Sequence, residues 1–261
     1  MCTLTVKCLG VGDGWPSADR SHAAFLYRLE ETRLLIDCGE SVSQGFKSAG
    51  WDYNLIDRIL ISHLHFDHWA GLFMLLQGCW LQAREKALTV HLPAEGLAPV
   101  RAMVRIGYLF DELLAFRLRF LPLRAGRPIR MAPGVRATPF PTTHLDGLRT
   151  AFRKQHARPF AAFGFLLECG ARRLVHSGDL GAIEDLAAPL EKPVDLLVCE
   201  LAHVPLEPLA RFLRTRPVKR LVLVHLPESL WRDRRRTRLR LSGALGSLPF
   251  TVARDGEEIA L

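Results

Sequence analysis

The chain of 261 residues has no apolar run near the roughly 18 residues a membrane span requires. Its first residues, Met1 to Lys7, show no charged lead followed by an apolar core. A membrane protein and a secretory leader are therefore not expected, and the location is expected to be cytoplasmic. None of the six cysteines (Cys2, Cys8, Cys38, Cys79, Cys169, Cys199) belongs to a C-x-x-C pair, and most sit in apolar segments. They are read as reduced, structural thiols. No repeat, low-complexity tract or Ser/Gly/Pro linker divides the chain, so one domain is expected over 1–261. With 49% hydrophobic and 24% charged residues, disordered and fibrous classes are excluded.

Lysine is also scarce: six of the 35 basic residues are Lys, the rest Arg, set against 27 acids for a formal charge of +8. The excess is uneven. From Arg117 to Arg173 there are twelve basic residues and two acids, Asp146 and Glu168, and Arg232 to Arg240 adds six arginines against Asp233. A basic face invites a nucleic acid or another phosphate ester, and a solvated Arg-rich surface accounts for it equally simply.

Short strand-like runs alternate with helical ones. Thr3–Leu9, Ala23–Leu29 and Arg33–Cys38 read as an antiparallel meander, followed by strands at Arg58–Ser62 and Leu88–Leu92. Helices are expected at Trp69–Gln82 and Ala94–Tyr108. The second half has strands at Val135–Phe140, Ala161–Cys169, Arg172–His176, Asp195–Cys199 and Arg220–His225, with helices at Ala182–Leu190 and Pro205–Arg214. Phe250–Arg254 and Glu257–Leu261 around Asp255-Gly256 read as a closing hairpin.

The informative run is Ser62-His63-Leu64-His65-Phe66-Asp67-His68, between a strand and a helix. Four metal-type donors in six residues need a partner, and a cation supplies one. Strand alternation puts His63 and His65 on one side, while the turn sends Asp67 and His68 to a neighbouring position, which points to two adjacent metal sites. Further donors stand at other strand ends: His144, Asp179 and His225.

These motifs resemble the metallo-β-lactamase superfamily, and within it ribonuclease Z. The likeness is carried by His63-Leu64-His65-Phe66-Asp67-His68-Trp69-Ala70-Gly71-Leu72, His144, Ser177-Gly178-Asp179 and Val224-His225, with Leu9-Gly10-Val11-Gly12 and Ile36-Asp37-Cys38-Gly39-Glu40 before them. It runs from about residue 4 to 260. The resemblance implies an α/β fold, a four-layer αββα sandwich with both metals in a cleft at one edge. It further implies that His63, His65 and His144 hold one divalent metal, that Asp67, His68 and His225 hold the second, and that Asp179 bridges them. Zinc suits the imidazoles; Mn²⁺ and Fe²⁺ fit the same N/O donors.

Such a pair generates hydroxide near neutral pH, the implied nucleophile. Asp67 is implied to accept a hydrogen bond from it. A catalytic His steadied by a Glu stands at a similar distance before the last ligand in ribonuclease Z, and here His203 lies 22 residues before His225, with Glu200 beside it. His203 is thus expected to protonate the leaving group and Glu200 to orient it.

The departures matter too. Only about twenty residues, Leu145 to Gly164, follow His144 where ribonuclease Z carries a long tRNA-gripping arm, and the basic run Arg149–Arg158 stands there instead. Processing of tRNA ends is weakened as the specific task, and a metal-dependent phosphodiesterase or nuclease stands as the reading. A thioester or lactone hydrolase is the alternative. Asp179 argues against a true β-lactamase, which tends to carry Cys or Ser there, and His65 against a flavodiiron protein, which usually carries Glu. A homodimer is compatible with the apolar Trp69–Gln82 segment, and Gly12–Ser17 and Phe140-Pro141 are candidate borders of the cleft.

Overall fold

The computed structural model describes residues 4–261; Cys2 and the first residue of the expected first strand, Thr3, lie outside them. Fourteen strands run in chain order as β1 Leu4–Gly10, β2 Ala24–Leu29, β3 Thr32–Ile36, β4 Arg58–Leu60, β5 Leu88–Leu92, β6 Leu118–Pro122, β7 Ile129–Ala132, β8 Val135–Thr142, β9 Ala162–Cys169, β10 Arg172–His176, β11 Leu196–Glu200, β12 Leu221–Val224, β13 Phe250–Val252 and β14 Glu258–Ala260. Among the described residues eight α-helices accompany them: α1 Val42–Ser48, α2 Phe66–Trp69, α3 Leu72–Leu81, α4 Leu97–Ile106, α5 Asp146–Phe152, α6 Leu206–Leu213, α7 Glu228–Trp231 and α8 Arg234–Leu245. The described residues fall into two compact units, one of residues 4–124 and 254–260, the other of 125–253 with 261.

The first unit holds a seven-stranded sheet in the order β14-β1-β2-β3-β4-β5-β6. Its first half is the expected antiparallel meander, and from β3 to β6 the pairing is parallel. Parallel strands require crossovers, and helices supply them. Val42 and Phe46 of α1, Leu72, Leu75, Leu76 and Cys79 of α3, and Val100 and Val104 of α4 pack on Leu35, Ile59, Val90 and Phe120. Fully burying one such side chain contributes about 1.5–3 kcal/mol.

The second unit repeats the plan. Its sheet runs β13-β12-β11-β10-β9-β8-β7, antiparallel from β7 to β10 and parallel from β10 to β13. Helix α6 buries Leu206, Leu209, Ala210 and Leu213, the i, i+3, i+4, i+7 stripe, in a cluster with Leu241 and Leu245 of α8 and with Val175, Leu197 and Leu223.

Three expectations are corrected. The closing hairpin does not form: β13 pairs in parallel with β12, and β14 pairs antiparallel with β1. Two three-residue strands paired only with each other are marginal, and each gains more at a ready sheet edge. The expected Trp69–Gln82 helix is broken into α2 and α3 at Gly71, whose N–H donates to Cys38 O at 2.9 Å. A Cβ there would sit 2.1 Å from Gly39 O, so only glycine permits the approach. The Ala182–Leu190 helix reduces to the 3₁₀ turn Ile183–Leu186.

Candidate functional site

In the first unit the donor run leaves the end of β4 and turns into α2. His63 is buried, His65 and Asp67 are partly exposed and His68 is buried. His63 Nε2 lies 3.0 Å from His65 Nδ1, and His68 Nε2 lies 3.2 Å from Asp67 Oδ2. Donors held 2.0–2.1 Å from one tetrahedral ion stand about 3.3 Å apart, so both spacings suit a shared cation. The donor set fits divalent metal in the two pairs expected.

Behind these donors lies a polar bracket that the sequence reading left without a role. Fully buried Asp37 accepts from Ser62 N at 2.7 Å and Ser62 Oγ at 2.9 Å, and its Oδ2 meets His68 Nδ1 at 2.7 Å. Ser62 Oγ also lies 3.1 Å from His63 Nδ1. A carboxylate on one imidazole nitrogen fixes the tautomer that offers the other to a metal. Asp37 adopts φ +60°, sparsely used by non-glycine residues, and Cys38 N donates to His68 O at 2.7 Å, locking the turn. The signal for Asp37 was an acid directly after the apolar strand Leu34-Leu35-Ile36. Gly14 lies against the Asp67 carboxylate, so the Gly12–Ser17 loop borders these donors, with Trp15 exposed beside it.

In the second unit the predicted residues gather at the ends of β8, β10, β11 and β12. Asp179 Oδ2 lies 3.7 Å from His144 Nε2, 3.5 Å from His225 Nε2 and 3.7 Å from His203 Nδ1. The separations from His144 and His225 are at or beyond hydrogen-bond lengths and suit donors to shared cations, and His203 stands beside the same carboxylate. Asp179 is fixed through its backbone, where Thr142 Oγ1 donates to its carbonyl at 2.7 Å. Gly178 before it takes φ +57° with its Cβ position 2.4 Å from Phe163 O, which excludes any side chain. His225 holds φ +50° at the end of β12.

Glu200 closes β11 and is buried. Its Oε2 accepts from Ala202 N at 2.6 Å and His203 N at 2.9 Å, and its Oε1 accepts from Leu180 N at 3.1 Å and lies 3.3 Å from His203 Nδ1. One carboxylate thus shapes the turn that presents His203 and also faces its ring. The His203 side chain is 37% exposed, and its ring centroid stands 4.6 Å from that of His144. Phe140 packs on Gly164 inside the second unit, whereas the basic run Arg149–Arg158 is exposed on and after α5. Among the described residues Cys8, Cys38, Cys79, Cys169 and Cys199 are free and buried, and none joins a donor group.

His and Asp donors stand at strand ends of both mixed sheets, and the family profile described as "Beta-lactamase superfamily domain" matches residues 32–226. The chain belongs to the metallo-β-lactamase superfamily. Within it the likeness is to ribonuclease Z: that of Halorubrum lacusprofundi is 32% identical over 158 residues, 60% of this chain and 49% of that protein. That of Methanothermobacter thermautotrophicus is 25% identical over 299 residues, covering 97% and 94%. The chain spans about half the length of several such relatives. The fold matches the metallo-beta-lactamase fold protein YhfI of Bacillus subtilis (TM-score 0.76, 18% identity, 99% of each chain) and the short form of human tRNase Z (TM-score 0.72, 20% identity, 98% of each). These structures bear out the metallo-β-lactamase fold. No helix among the described residues is long and apolar enough to cross a membrane.

Proposed function

We propose that this chain is a metal-dependent hydrolase of phosphodiester bonds resembling ribonuclease Z, working as a single domain. In this reading His63, His65 and His144 would hold one divalent ion and Asp67, His68 and His225 a second, with Asp179 available to both. When bound, two such ions, most simply zinc, supply Lewis acidity and bring the pKa of water down to about 7 for use as hydroxide.

The chain's own residues do the rest. Asp37 holds the proton of His68 on Nδ1, keeping Nε2 basic. Asp67, beside the Gly12–Ser17 loop, accepts a hydrogen bond from the attacking water. The Glu200 carboxylate faces His203 Nδ1 at 3.3 Å, which stabilises the doubly protonated ring; that imidazolium gives its Nε2 proton to the departing oxygen and is left neutral with its proton on Nδ1. That grip of Glu200 on both the backbone and the ring of His203 is the observation that carries the reading. A lone strand-end histidine would need no buried carboxylate behind it. The phosphodiester class is supported by the ribonuclease Z relatives and by the exposed arginines after His144.

The test is a paired assay on metal-quantified protein. Bis(p-nitrophenyl) phosphate and short single-stranded RNA are compared with lactone and thioester panels. Chelator-sensitive turnover of the phosphodiesters is expected, and turnover confined to lactones or thioesters overturns the assignment.

A further inference from the structure

Away in sequence from the donor groups, the first unit carries a cavity of about 390 Å³ where α4 meets the edge strand β6. Four arginines line it, Arg101, Arg105, Arg117 and Arg119, and Asp111 is the one acid among the lining residues. Arg101 Nη2 is anchored on Phe120 O at 3.0 Å. Among the described residues no ion pair engages Arg105, Arg117 or Arg119; on α8 and its approach Arg240 pairs with Glu207 at 2.6 Å and Arg232 with Glu228 at 3.8 Å, while Arg235 and Arg238 are likewise without an ion pair and serve as the matched control.

Exposed aromatic rings flank one of the cavity's lining residues in the chain. Leu109 lines it, and on either side of Leu109 stand Tyr108, 74% exposed, and Phe110, 42% exposed, their ring centroids 6.1 Å apart. Tyr108 is held at φ +60°, a conformation sparsely used by bulky residues. Neither ring is spent on the core. Guanidinium groups in a groove and exposed rings one residue from its lining are the two components of single-strand recognition, phosphates on the cations and bases on the rings.

We propose that this cavity and the adjacent exposed ring bind single-stranded RNA, with Arg105, Arg117 and Arg119 on backbone phosphates and Tyr108 under a stacked base. The choice of RNA rests on the phosphodiesterase reading. The site would grip substrate in a chain whose segment after His144 is too short for a gripping arm.

The experiment is fluorescence anisotropy of a labelled 12-nucleotide single-stranded RNA with EDTA present, over a salt series. Arg105→Gln/Arg119→Gln is expected to weaken binding about tenfold or more and to lower the salt slope by about 1.4, since each lost phosphate contact removes about 0.7 on a single strand. Tyr108→Ala is expected to weaken it about tenfold with the slope unchanged. The proposal is overturned by unchanged binding in both variants, or by an equal loss in the control Arg235→Gln/Arg238→Gln, which removes the same charge from α8. Turnover of bis(p-nitrophenyl) phosphate separates the two claims. Active variants that bind RNA normally sink the cavity site alone, and a protein that binds RNA through it without hydrolysing any phosphodiester sinks the hydrolase reading alone.

Discussion

The carboxylate of Asp37 stands 2.7 Å from His68 Nδ1, buried on both sides, and the same carboxylate receives the backbone N–H and hydroxyl of Ser62. With Oδ1 committed to Ser62 N, only Oδ2 can hold the His68 tautomer. Asp37→Asn would keep the shape but place an amide opposite Nδ1, driving the imidazole proton to Nε2 where no metal can bind. We expect a ten- to hundredfold loss of zinc affinity with secondary structure intact. Competition against a chromophoric chelator measures it, and wild-type affinity would sink the assigned role.

Glu200 and His203 predict a split between metal binding and turnover. His203→Ala is expected to keep two metals per chain and to lose about a hundredfold or more in kcat on substrates with poor leaving groups. With p-nitrophenolate, which needs no proton, the loss is expected to be small. Glu200→Gln should reproduce part of the defect, because its amide can still accept from the His203 backbone but no longer favours charge on the ring. Equal losses on good and poor leaving groups would show that His203 donates no proton. Asp67→Ala and His68→Ala are expected to lose metal and activity together.

The site was more legible in the sequence than its frame. Donors at His63, His65, Asp67 and His68 are dense enough to announce themselves, and His144, Asp179 and His225 follow strands whose apolar runs are unmistakable. Asp37 was visible only as part of a motif, because its work is done on residues 25 and 31 positions away. The short helices α1, α2 and α7 lack the length for a periodic signal, and α8 hides its core contacts Leu241 and Leu245 behind a run of arginines. Strand β7 has half-exposed, alternating residues and β6 no β-branched ones, so neither stood out from a basic loop. The closing hairpin was misread because pairing partners are a tertiary choice that a local turn signal cannot make.

Arg84 illustrates a structural charge of that kind. Its side chain is fully buried and spends its donors on carbonyls: Lys86 O at 2.6 Å, Ile56 O at 2.6 Å, Ala87 O at 3.2 Å and Tyr53 O. Burial lowers its pKa. It staples the loop before β4 to the loop before β5. Arg84→Met matches its bulk but strands these acceptors, and should cost about 3 kcal/mol. Urea denaturation reads the loss, and a cost under about 1 kcal/mol would show that the loops hold without it.

His91 gives the pH dependence a sign. It is buried on β5, and its pKa is pushed down to about 4, by burial first and then by the Arg58 charge. The unfolded chain titrates this group near 6.5, so between roughly pH 6.5 and 4 the unfolded state binds the additional proton. Stability from His91 is therefore fully present above pH 6.5 and lost as pH falls toward 4. A shift of this size corresponds to at most about 3 kcal/mol. Carboxylates titrate in the same window, so the wild-type curve alone does not isolate the effect. His91→Gln removes the titration while keeping a polar side chain of similar reach, so the difference in unfolding free energy between the two proteins should change with pH. The variant is expected to be less stable at pH 7.5 and to close most of that gap by pH 4.5. Parallel curves across the range would place the His91 pKa at its ordinary value and remove burial as its governing influence.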